Sequence, residues 1–110
     1  GVLVRNIPKD LANIEDCKQL VKASGSVAAN YIEANESFSK KDFAFRIKIC
    51  RKEAKESRLW LKLLQITELE LDQVRKELVM EAGELIKIFT SIISKIRHPT
   101  SPRLLLEFGI

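Results

Sequence analysis

Ser39 to Leu64 reads SKKDFAFRIKICRKEAKESRLWLKLL, and its periodicity decides the fold class. At about 100° per residue, Phe43, Ile47, Cys50, Ala54, Ser57, Leu61 and Leu64 fall on one apolar stripe of a long helix. Lys48, Arg51, Lys52, Lys55, Arg58 and Lys62 fall within roughly 120° on a second stripe, with no acid among them. Like charges stacked over about four turns repel at i,i+4 and weaken the helix that carries them. Such a stripe asks for a compensating role. Its start is marked twice, by Ser39 and Asp42 as a capping box and by Phe38 and Phe43 as the matching hydrophobic staple.

The chain upstream continues the helical pattern. Residues 2–8 read as the last turns of a helix stopped at Pro8, because proline disfavours helical geometry in the residue before it. The chain begins GVLVRNIPKD, so this first helix is expected to be truncated. The first complete helix runs from about Leu11 or Asn13 to about Asn35. Its expected core stripe is Ile14, Cys17, Val21, Ser24, Ala28, Tyr31 and Ala34. Ala23, Ser24, Gly25, Ser26, Ala28 and Ala29 make its second half small, which predicts close approach of a neighbouring helix.

Downstream, Thr67 with Glu70, flanked by Ile66 and Leu71, repeats the capping grammar and marks the next break. The third helix then runs to about Arg97, ended by His98-Pro99, with a seam at Leu78, Ala82, Leu85, Phe89, Ile92 and Ile96. Ile86, Ile88 and Ile93 widen its apolar surface beyond one seam, which predicts a second contact. The chain divides into a bundle domain, residues 1–97, and a tail, 98–110, whose RLLLEFGI is too short to form a domain.

Composition agrees with an all-α chain. Four Gly and three Pro in 110 residues are few, and 45% hydrophobic content supplies one modest core. No apolar run approaches the roughly 18 residues of a membrane span. Cys17 and Cys50 lie in predicted helix interiors without a CxxC, which predicts reduced, buried thiols and a reducing cytoplasm.

The net charge of +4 is uneven. Residues 36–65 carry nine Lys/Arg against four acids, while the rest carry ten against eleven. All of the excess lies on or beside the second helix, and a polyanion is the partner class this implies. Taken alone, a charge run is more often a solvated face.

Catalytic and metal chemistry find little support. His98 is the only histidine, and no His or Cys stands at ligand spacing from it. Neither cysteine has a histidine at helical spacing, and no Gly-rich phosphate loop or GxSxG occurs. No catalytic residue, metal or cofactor is therefore expected. Asn30, Tyr31 and Glu33 could meet Glu53 and Glu56 in a polar network joining two helices. Metal binding by these carboxylates is the weaker reading, since the Glu-x-x-His motif of metal-binding bundles is missing. Trp60 and Tyr31 lie at apolar faces and read as packing residues before base-stacking ones.

Two segments carry a resemblance: SVAANYIEA at 26–34, and Ser39 to Leu64 with its Asp42-Phe43, Lys52-Glu53-Ala54, Glu56-Ser57 and Trp60-Leu61 elements. Ala82, Glu84-Leu85 and Ile88-Phe89 agree more loosely. Together they resemble the four-helix bundle family named for the 23S rRNA intervening sequence protein, over most of residues 7–97. Relatives often have glycine where this chain has Ala28 and a basic residue where it has Ile32, and they have a full helix before the position of Pro8. The resemblance implies an antiparallel up-and-down bundle of bacterial origin that assembles as a homo-oligomer, a pentamer, with no enzymatic activity. It also implies kinship with the basic accessory proteins of diversity-generating retroelements, which associate with nucleic acid. Two functions follow as expectations: a basic face binding RNA or DNA backbone, or a protein–protein scaffold that binds no nucleic acid.

Overall fold

Ser39 caps the central helix as its spacing predicts, its side-chain oxygen accepting from Asp42 N at 3.1 Å. The computed structural model describes residues 1–98, which form four α-helices: α1 (Val2–Asn6), α2 (Leu11–Asn35), α3 (Lys40–Leu63) and α4 (Leu69–Arg97). Helix α1 stops before Ile7, which is extended (ψ 147°) as the residue preceding a proline should be. Asp10 caps α2 by accepting from Asn13 N at 2.8 Å. The apolar tail expected at the end of the chain lies, from residue 99 onward, outside the described residues.

Helix α3 is the axis of the fold, since α2 and α4 both pack along it while α1 reaches α4. Asn13 near the start of α2 bonds Gln65 just past α3, and Asn30 near the end of α2 bonds Arg46 near the start of α3. Helices α2 and α3 therefore run in opposite directions. All seven expected core positions of α3, from Phe43 to Leu64, are buried, Ile47 and Cys50 completely.

Two apolar clusters share that stripe. At one end Leu61 and Leu64 pack with Leu3, Ile7, Cys17, Leu20 and Leu71, with Trp60 half-buried against them. At the other end Phe43, Ile47, Cys50 and Ala54 pack with Ala34, Phe89 and Ile93. Both cysteines are free and buried, and burial pushes both thiols up from their ordinary range.

Four local expectations are corrected. On α2 the core takes Asn13, Cys17, Leu20, Ala23 and Ala34, whereas Ile14, Val21 and Tyr31 stay 40%, 57% and 46% exposed and Ser24 and Ala28 are exposed as well. The buried face turns toward α3, the helix against which α2 packs most extensively. Val21 instead lines a groove of about 470 Å³ whose other walls include Val27, Ala82 and Leu85.

Close approach holds for only part of the small-residue run of α2: Ala23 is buried and Cys50 Sγ comes within 3.6 Å of Val27 O, but nothing lies within 4 Å of where a Cβ on Gly25 would stand. Gly25→Ala should therefore raise stability by about 0.5–1 kcal/mol through helix propensity alone, read as a higher melting temperature. A lower melting temperature would show that another chain packs there.

The Phe38–Phe43 staple does not form. Phe43 is buried with Ala34 and Phe89 while Phe38 is fully exposed, turned outward by the tight turn in which Ser37 N bonds Ala34 O at 3.1 Å. Finally, Glu68 and not Thr67 stands at the α4 cap, with no side-chain hydrogen bond. Asn13 holds Gln65 while Leu64 and Ile66 enter the core, and this sets the register of the connection. Of the extra α4 isoleucines, Ile93 is buried, Ile86 packs against the core and Ile88 remains 52% exposed.

Candidate nucleic-acid interface

Helix α3 presents its cations on the flank beside α4. Lys48, Lys52, Lys55 and Lys62 are exposed, while Arg51 and Arg58 are half-buried. Arg58 lies across α4, with its Nη1 3.9 Å from where a Cβ on Gly83 would stand. From Lys48 to Lys62 the row extends about 21 Å at 1.5 Å per residue. Lys52 Nζ lies 3.8 Å from Glu53 Oε1. Among the described residues no ion pair joins the other five to a carboxylate.

The charge continues onto α4. Lys62 shares a shallow surface hollow with Arg75, Lys76, Val79 and Met80, and Arg75 Nη1 donates to Lys62 O at 3.5 Å. Asp72 answers this pair of cations, bonded by Lys76 Nζ at 3.1 Å and by Arg75 Nη2. Bonds from Lys76 and Arg75 hold its carboxyl below the usual carboxylate range. Lys87 is 3.7 Å from Glu84. The α4 cations are thus partly neutralised, and the α3 row carries the excess.

The five residues considered for a polar network fall into separate places. Asn30 Oδ1 accepts from Arg46 Nη1 at 3.0 Å, and its Nδ2 donates to Ser26 O at 2.9 Å. The Tyr31 ring sits 6.4 Å from that of Phe89, tilted by 48°. Glu33 lines a surface hollow at the α2–α3 turn with Phe38, Asp42 and Arg46. Glu53 and Glu56 meet each other on α3, two turns further along. The antiparallel pairing accounts for the split: Cys50 Sγ faces Val27 O at 3.6 Å, so Asn30 aligns with Arg46 and Glu53 aligns nearer Lys22.

Burial raises the Glu53 carboxyl, and the neighbouring Glu56 charge adds to the rise. A raised carboxyl holds its proton more firmly in the folded state, so stability falls as pH rises from the ordinary value of 4.5 through the folded one. Glu53→Gln should therefore stabilise the fold at neutral pH by about 0.5 kcal/mol, the scale of a like-charge pair on a helix. The gain should vanish below about pH 4, where the carboxyl is protonated in both states. Chemical unfolding at the two pH values checks it.

One residue of structural consequence escaped the sequence reading. Asn13 is wholly buried; its Nδ2 donates to Pro8 O and Gln65 O, each at 2.9 Å, and its Oδ1 accepts from Gln65 N at 2.8 Å. It ties the α1–α2 turn to the α3–α4 connection. Asp10-x-x-Asn13 after Pro8 could have placed the cap, but nothing local reveals a partner 52 residues away.

Among the described residues no group of His, Cys, Asp and Glu is placed to hold a metal ion. None of the described helices is long and apolar enough to cross a membrane. Fold and surface together define a helical bundle whose central helix displays a row of cations. A family model described as 23S rRNA-intervening sequence protein matches residues 2–91, and the chain belongs to that family. Neither the curated proteins nor the solved structures gave a match.

Proposed function

We propose that this chain is a non-enzymatic, cytoplasmic, homo-oligomeric bundle, the pentamer that the family resemblance implies, whose α3 face binds the phosphate backbone of RNA or DNA. The observation that carries the proposal is the row of five cations without carboxylate partners on one helix. The helix bears their mutual repulsion, and a polyanion relieves it. Lysines at the rim read phosphate without reading sequence. Repetition of the row in an oligomer multiplies weak contacts through avidity. Filter binding to RNA and DNA by the parent and by an Arg51→Glu, Lys55→Glu variant tests it. The variant should bind more weakly, and equal binding across a salt titration sinks the idea.

A second reading is a protein–protein scaffold, favoured by the exposed apolar flank of α2 and α4 at Ile14, Val21, Leu85 and Ile88. If the basic row instead meets acids of a neighbouring copy, the same double variant should dissociate in light scattering while nucleic-acid binding was never present.

A further inference from the structure

We infer that the α3 face takes duplex nucleic acid in preference to a single strand. The inference rests on the nucleic-acid reading above and names the form of the partner. Proteins that hold single strands stack successive bases on exposed aromatic rings interleaved with cations. Among the described residues, the face from Lys48 to Lys62 offers no such ring. Trp60 is half-buried against the core on another side of α3, and Tyr31 lies on α2 beside Phe89. Phe43 and Phe89 are inside the core. Phe45, 58% exposed one turn before Lys48, is a single ring at the end of the row, with the Arg46 guanidinium over it at 5.9 Å from the centroid. No second exposed ring of α3 follows it on which successive bases could stack. The exposed apolar residues along the row are Leu59 and Leu63, which give bases no π-face.

Contact by charge alone favours the denser polyanion. A duplex carries one charge per about 1.7 Å of axis, twice the line density of one of its strands, so a row about 21 Å long spans a stretch with about twelve phosphates on its two strands together. Each neutralised phosphate releases about 0.9 counterion from a duplex and about 0.7 from a single strand. Over five or six contacts that difference amounts to about tenfold in affinity at 0.1 M salt. A rigid helix with cations at every turn also suits a stiff duplex. A flexible strand must lose conformational freedom to follow it.

Fluorescence anisotropy with labelled oligonucleotides of equal length tests this: oligo-dT as the unstructured single strand, a DNA duplex and an RNA duplex, with parent and a Lys48→Glu, Lys55→Glu variant. Both substituted lysines are exposed, and a melting curve confirms that the variant folds. The expected result is duplex binding about tenfold tighter than oligo-dT at 0.1 M salt, lost in the variant; the two duplex arms then tell RNA from DNA. Oligo-dT bound as tightly as the duplexes, and still weakened by the variant, overturns the duplex preference while leaving the nucleic-acid reading in place. Absence of binding to all three probes, or binding that the variant leaves untouched, overturns both.

Discussion

Asn13→Ala should cost about 3 kcal/mol of stability, three lost side-chain hydrogen bonds at about 1 kcal/mol each. The side chain is completely enclosed, so truncation leaves Pro8 O and both the N–H and the carbonyl of Gln65 without their partner. Exposed hydrogen bonds would be replaced by water at little loss, but these are partly buried. Set against a typical domain stability of about 5–15 kcal/mol, the loss is severe. Urea unfolding should show it as a midpoint lowered by about 1–3 M at an m-value of 1–3 kcal/mol/M. Asn13→Asp should do no better at neutral pH, since an ionised carboxylate accepts from Gln65 N but donates to neither carbonyl, and its charge is buried. A midpoint unchanged within about 0.3 M would show that water replaces the amide freely.

Reversing Arg51 and Lys55 should have the largest effect on binding. Arg51 is half-buried at the edge of the row and Lys55 stands at its exposed centre, so the double variant interrupts the row in its middle. If six cations each neutralise a phosphate, the parent's affinity should fall by about 10³ between 50 and 200 mM salt. Removal of two contacts should flatten the logarithmic salt slope from about −5 toward about −3.5. The two new acids add repulsion, so affinity at low salt should drop by well over about tenfold. Competition at fixed salt between parent and variant measures the ratio directly. Because neither residue belongs to the buried stripe, the fold should persist, as circular dichroism can confirm.

The two predictions separate what sequence reveals from what it hides. The core stripe of helix α3 was legible because its neighbours cover one side only, and seven residues at three- and four-residue steps mark that side without competition. Helix α2 misled because its most apolar stripe, through Ile14 and Val21, lines a surface hollow with Val4 of α1, while the core takes Asn13, Leu20 and Ala23. Which of two stripes faces the partner helix depends on tertiary pairing, and periodicity carries no sign of it. The Ser39 half of the capping box was readable because it is local; the reciprocal bond, from Ser39 N to the Asp42 side chain, does not form. The α4 cap was not, since Gln65 is held in place by Asn13 from another helix.

The cationic row was legible in the same way as α3, residue by residue. Its relation to α4 was not. The placement of Arg58 over Gly83, and the Asp72 that neutralises Arg75 and Lys76 beside Lys62, emerge only from the packing of α3 on α4. The Asn30–Arg46 bond likewise follows from antiparallel register, which drew Asn30 away from the carboxylates of Glu53 and Glu56.

The most direct test of the central claim is the salt dependence of the parent protein's affinity for nucleic acid, measured from 50 to 400 mM salt on one probe. A linear logarithmic plot with a slope of about −5 or steeper is the result expected of a face that binds through its six cations. A slope near zero, or affinity no different from that of an unrelated acidic protein, would contradict it.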